Sequence, residues 1–291
     1  MVRDRSVSAK VFEVVVHIVM IFVLLITLLP VIHVISISFS STQAISRGDV
    51  SLWPVEFSVT AYRSIFKSGN VPRSFLNSVY YTVLGTGINM ILTTMMAYPL
   101  SRTYLTFRKF YNVLVLVTMF FSGGLIPTFL TVKNLGLYDT VWAIVLPGAI
   151  STWNLIIMRT FFMNLPLELE ESAQLDGAND FTIFFRIILP LSKASIATIA
   201  LFYGVSHWNN WFNAMIYFKN SRSYPLQTIL RSIVINSEVT DEIQIDDPLD
   251  RVSTEGIKYS TLVVSMVPMM LVYPFVQKYF VKGVMIGSLK G

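Results

Sequence analysis

From Val11 to Ser40 the chain runs through valine, isoleucine, leucine and phenylalanine with Glu13 as its only charged residue. A helix needs about 20 mostly apolar residues to cross the hydrocarbon core of a bilayer. The run is too long for the apolar core of a removable signal peptide and has no small-residue cleavage site after it, so it reads as a retained first span. Five more such runs follow: Phe75–Leu100, Phe110–Val132, Val141–Met163, Leu191–Phe218 and Ile257–Phe280. The pattern predicts an all-α integral membrane protein with six transmembrane helices, its transmembrane domain covering 11–290 after a short segment 1–10. Composition agrees, with 13% charged residues against roughly 25% in soluble domains, and a mean hydropathy of +0.62.

An even number of spans puts both termini on one side. Placing that side in the cytoplasm leaves Arg102, Arg108 and Lys109 in the short connector 101–110, a basic clamp of the kind retained inside. Arg3, Arg5, Lys10, Arg159, Arg186, Lys193, Lys278, Lys282 and Lys290 fall on the same side. Two long loops, 41–73 and 219–258, then lie outside. In the first, Thr60 as N-cap, Tyr62, Ile65 and Phe66 at helical spacing, and Gly69 as stop predict a short amphipathic helix. In the second, "NSEVTDEIQIDDPLDR" carries most of the outer acid, either as a solvated loop or as a docking surface for a soluble partner.

Several chemistries are excluded. There is no cysteine, hence no disulfide, thiolate metal site or thiol nucleophile. No Gly-Lys-Ser/Thr phosphate loop occurs, so the chain is not expected to hydrolyse ATP by itself. The glycines of "GTGINM" lie inside an apolar span and suit close helix packing. His17, His33 and His207 lack metal-ligand spacing. No catalytic constellation is visible, and no nucleic-acid partner is called for. A secondary transporter or channel acting alone would keep charged groups mid-span, and these spans carry almost none.

The stretch "PLELEESAQLDGAND", residues 166–180, breaks the apolar pattern. Pro166 suits a first helical position. Glu168, Glu170 and Glu171 occupy the early turns, where the helix dipole favours negative charge. Gly177 stands where a left-handed stop is wanted. Asn179 or Asp180 can cap a second helix with Phe181, Phe184, Phe185 and Ile188 at helical spacing, ended by Pro190.

"EESAQLDGANDFTIFFRIILPLSKAS" resembles the EAA motif of binding-protein-dependent ABC importers, carbohydrate-uptake branch. The matches are Glu171, Ser172 for the first alanine, Ala173, Gly177, Ile187, Leu189 and Pro190, and the departures are Ser172 and Ala194. "FLNSVYYTVLGT", "HWNNWFNAMIY" and "FVQKYFVKGVMIGSLKG" resemble segments of the branch's smaller, maltose-permease-like subunits. "FFSGGLIPTFLTVKNLGLYDTVWAIVLPG" resembles a subgroup that handles large or acidic oligosaccharides, alginate among them.

The resemblance implies a type I importer permease in the bacterial inner membrane. Its partners would be a second permease subunit, two ATPase subunits that bind ATP and Mg, and an external solute-binding protein. No cofactor would be bound by this chain. The 166–190 element would be a cytoplasmic coupling helix docked in an ATPase groove. ATPase coupling would rest on Glu170, Glu171, Ser172, Ala173, Asp176, Gly177, Ala178 and Pro190, with Glu171 meeting a basic residue there.

A substrate path is sketched by polar residues near membrane depth: Asn77, Asn89, His207, Asn209, Asn210 and Asn213. Trp208 and Trp211 beside them suit either stacking on sugar rings or an interfacial aromatic belt. Gly123, Gly124 and Pro127 suit either a gate or a packing kink.

Overall fold

The computed structural model describes residues 7–237 and 253–288. Arg3, Arg5, Lys290 and the acidic run after Ser237, Arg251 included, lie outside the described residues. Among those described, every regular element is helical: α1 Val7–Ser38, α2 Thr42–Arg47, α3 Thr60–Lys67, α4 Asn70–Ser101, α5 Arg108–Phe120, α6 Leu125–Asn134, α7 Trp142–Val145, α8 Thr152–Met163 and α9 Glu168–Leu175. There follow α10 Asp180–Ile183, a π-helical turn Phe184–Ile188, α11 Leu189–Leu191, α12 Lys193–Trp208, α13 Phe212–Tyr217, α14 Leu226–Ser237 and α15 Thr254–Ser288. Helices α1 and α4, and the stretch Thr254–Phe275 of α15, are each long and apolar enough to cross a membrane.

The remaining apolar runs are broken, and each break has a local cause. The run 110–132 becomes α5 and α6, bent by 112°. Phe121 is extended and Gly124 sits at φ 82°, ψ 177°, a region open almost only to glycine. The run 141–163 is not one continuous helix. Pro147 and Gly148 interrupt it, Ser151 caps a fresh helix by accepting the Asn154 N–H, and the twelve residues of α8 reach only about 18 Å at 1.5 Å per residue. The run 191–218 is likewise divided. Helix α12 stops at Trp208, and the segment Asp180–Leu191 meets it at 81°.

The helix read as ended by Pro190 stops one residue later, at Leu191. Pro190 lies inside the last turn, after a π-helical turn in which the Leu189 N–H bonds Phe184 O. A proline ring clashes with the carbonyl four residues back, and the widened turn relieves that clash at Arg186. The direction change waits until Ser192.

The chain divides into two compact units, one of residues 1–72 with 232–266 and one of 73–231 with 267–291. In the first, the N-terminal part of α1 exposes valine, leucine and isoleucine all round, as a lipid-facing helix does. Its other end is tied by hydroxyls. Ser36 donates to Leu52 O at 2.7 Å, and Tyr62 to Ser38 Oγ at 2.8 Å. The amphipathic helix α3 buries Ala61 and Ile65. Its cap is Val59 rather than Thr60, with the Thr60 N–H taken by Ser58 Oγ at 3.3 Å. Gly69 follows at φ 72°.

In the second unit the core has two clusters. One gathers Tyr98, Leu155, Met158, Phe162, Ile183 and Ile188 around the C-terminal end of α4. The other gathers Tyr81, Val132, Val145, Ala214 and Tyr217 nearer its start. Between them α4 presents Thr82, Thr86, Asn89 and Thr93, spaced as one helical face.

Candidate coupling element and polar path

Helix α9 is built from local signals. Three glutamates fill its first turn, where unpaired N–H groups and the dipole favour them. Pro166 stands one residue before the cap, Leu167, rather than at the first helical position. At the other end Gly177 takes φ 81°. Its N–H bonds Gln174 O at 2.9 Å and the Ala178 N–H bonds Ala173 O at 2.9 Å, the paired closure of a Schellman stop. Asn179 then caps α10 through the Thr182 N–H at 2.8 Å, and Asp180 is the first helical residue.

The faces of α9 differ sharply. Glu170 and Ala173 are buried, whereas Glu171, Ser172, Gln174, Asp176 and Gly177 are exposed. Leu175 is 90% exposed. Glu170 pairs with Arg102, itself 1% exposed, and accepts from Tyr98 OH at 3.4 Å. The coupling residues named from sequence therefore separate into an outward set and an inward pair. Ala178 is half-buried and Pro190 exposed.

A cavity of about 340 Å³ is lined by Met95 and Tyr98 of α4, Tyr104, and Asp180, Phe181, Phe184 and Phe185. Phe184 and Ile188 are buried and Phe181 and Phe185 are exposed, so only half of the apolar face read from sequence enters the core. Desolvation raises the Tyr104 phenol above its ordinary range, and it lines the cavity as a neutral hydroxyl.

The polar-path residues fall into three places. Asn77 is spent on structure, its amide donating to Arg222 O at 2.8 Å and Tyr224 O at 3.1 Å, with Tyr81 OH on Ser223 O beside it. Mid-helix, Asn89 is 2% exposed and donates to Gly148 O at 3.4 Å. The His207 ring lies directly on Gly85, where a Cβ would stand 2.5 Å from it. His207 Nε2, Thr82 Oγ1, Thr86 Oγ1 and Asn89 Oδ1 are buried without a hydrogen-bond partner among the described residues. Buried polar atoms of this kind call for water or a ligand hydroxyl.

The third place is the turn after α12. Trp208 is 3% exposed and meets Phe75 edge-on at 5.9 Å, so no ring face is open to a sugar in this conformation. Trp211 is half-buried, with the Arg231 guanidinium 3.6 Å from its ring centroid. Its carbonyl accepts from Thr228 Oγ1 at 3.1 Å. Asn209 caps α12 and accepts from Gln227 at 3.4 Å. The Asn210 N–H bonds His207 O, and Asn213 sits half-buried in α13.

Sequence reasoning missed Arg102, read only as part of the basic connector, and did not single out Arg231. It also missed Thr82 and Thr86, whose helical register with Asn89 was a usable signal.

Comparison with known proteins gives this arrangement a family. Over 283 residues the chain is 45% identical to the polygalacturonan/rhamnogalacturonan transport system permease protein YtcP of Bacillus subtilis (strain 168), covering 97% of this chain and 99% of that one. It is 44% identical over 270 residues to protein LplC of the same organism, covering 91% and 90%. A crystal structure of a bacterial ABC transporter involved in the import of the acidic polysaccharide alginate contains a chain with TM-score 0.87 and 32% identity, covering 95% of this chain and 99% of that one. The family model described as the binding-protein-dependent transport system inner membrane component matches residues 89–286. The chain with the buried Arg102–Glu170 pair and the outward Leu175 belongs to the family of binding-protein-dependent transport system inner membrane components.

Proposed function

We propose that this inner-membrane component is the permease subunit of an ATP-driven importer that moves acidic oligosaccharides, of the oligogalacturonate or alginate type, into the cytoplasm by alternating access. The observation that carries the coupling half is α9: a short polar helix, anchored from behind, with the large apolar side chain of Leu175 90% exposed at its tip. Such a tip is favourable when a partner covers it, and the partner is an ATPase subunit binding ATP and Mg. In this reading α9 and both termini face the cytoplasm. A second permease subunit completes the path, and a solute-binding protein delivers sugar to the opposite side.

The acidic substrate is supported by the two relatives whose names specify galacturonan and alginate. It is also supported by Arg231, a cation held on the Trp211 ring, which suits a sugar carboxylate. The test is ATP hydrolysis by the reconstituted complex with no sugar, with neutral maltooligosaccharides, and with oligogalacturonates or alginate oligomers. Stimulation by the uronates alone is the expected result. Stimulation by neutral sugars overturns the substrate class, and an assembled complex that responds to no sugar overturns the oligosaccharide reading.

A further inference from the structure

Among the three glutamates that open α9, Glu170 alone turns inward. It is 3% exposed and faces Arg102, which follows the last residue of α4 and is 1% exposed. One guanidinium nitrogen donates to Phe162 O, in the last turn of α8, at 2.8 Å, and the guanidinium lies 4.9 Å from the Tyr98 ring centroid. Tyr98 OH reaches the other Glu170 oxygen. A single side chain thus joins the ends of α4 and α8 to α9. The end of α4 is itself pinned, because Leu100 O accepts from both Arg108 Nε at 3.2 Å and Arg159 Nε at 3.1 Å.

A buried ion pair adds little net stability over an apolar contact of the same shape, yet separating its partners leaves a charge stranded. Its distinctive property is resistance to parting. Arg108 and Arg159 hold the α4 terminus rigid, so a displacement of α9 is passed to α4 rather than absorbed between them. The outward residues Glu171, Gln174 and Leu175 remain available for docking.

We propose that Arg102 and Glu170 are positioning residues that form the mechanical link from the coupling helix to α4, with Glu170 acting inside the subunit rather than on the ATPase. The proposal rests on the importer reading above. The experiment uses the complete reconstituted complex, with sugar uptake and ATP hydrolysis measured on the same proteoliposomes and expressed as sugar moved per ATP. Glu170→Gln and Arg102→Gln are expected to assemble and hydrolyse ATP but to lower that ratio at least about fivefold, the lower end of a typical coupling energy.

Tyr98→Phe, which removes one hydroxyl, lowers the ratio less, and the exchanged pair Arg102→Glu with Glu170→Arg recovers part of it. A role in stability alone reduces the yield of complex and leaves the ratio of the surviving complexes unchanged, and that outcome overturns the link. If neither charge variant assembles, Tyr98→Phe decides, and an unchanged ratio there also overturns it. A wild-type complex that no sugar stimulates is a failure of the importer reading, and it is seen before any variant is compared.

Discussion

Replacing Gly177 tests whether the end of α9 matters through its backbone conformation or through its surface. A Cβ added at Gly177 meets nothing within 4 Å, so substitution causes no clash within this chain. The residue stands at φ 81°, where an L-amino acid other than glycine costs roughly 1–2 kcal/mol. Alanine also stiffens the unfolded chain, which returns about 0.4–1 kcal/mol at the level of global stability. The local equilibrium between the closed turn and a frayed one bears the larger share, about 1 kcal/mol, or roughly fivefold at 1.4 kcal/mol per decade.

Fraying releases the Gly177 and Ala178 N–H bonds and with them the pose of Leu175. On the proposed importer reading, the assay is titration of an ATPase subunit onto the solubilised permease pair. Gly177→Ala should raise the Kd about fivefold. Gly177→Asn should raise it less, since asparagine tolerates the left-handed region, and Gly177→Val more. If Kd instead follows side-chain volume, with asparagine as damaging as valine and alanine harmless, the constraint is steric fit in the partner's groove and the conformational argument fails.

Three further outcomes are expected. Gly85→Ala drives a methyl into the His207 ring and should lower stability by about 1–3 kcal/mol, seen as a lower Tm of the purified complex, whereas His207→Ala in the same chain should restore most of it. Arg231→Gln should slow uptake of oligouronates several-fold and flatten its dependence on salt, leaving uptake of any neutral oligosaccharide unchanged in competition assays. The irregular backbone between α5 and α6 cannot face lipid, because its polar groups would go unpaired there. Phe121→Cys, in a chain with no other cysteine, should therefore react with a membrane-impermeant thiol reagent or cross-link to the partner permease, and protection by lipid alone would contradict the open break.

The long apolar helices α1 and α4 were legible because burial in lipid leaves a continuous compositional record. The stop at Gly177 and the cap at Asn179 were legible because each depends on residues within one turn of itself. Tertiary structure decided the rest. Glu168, Glu170 and Glu171 are equivalent to the helix dipole, and only the position of Arg102, brought in by α4, separates the inward glutamate from the outward ones. Trp208 and Trp211 look alike in sequence, and packing against Phe75 closes one while Arg231 covers a face of the other. Pro190 reads as a stop by its own chemistry, and the π-helical turn before it, within a packed core, carries the helix one residue further, to Leu191. Short-range backbone preferences and hydrophobicity are written residue by residue along the chain. The partner of a buried charge, the face a ring presents and the course of a broken span arise from segments far apart in sequence, and only folding brings them together.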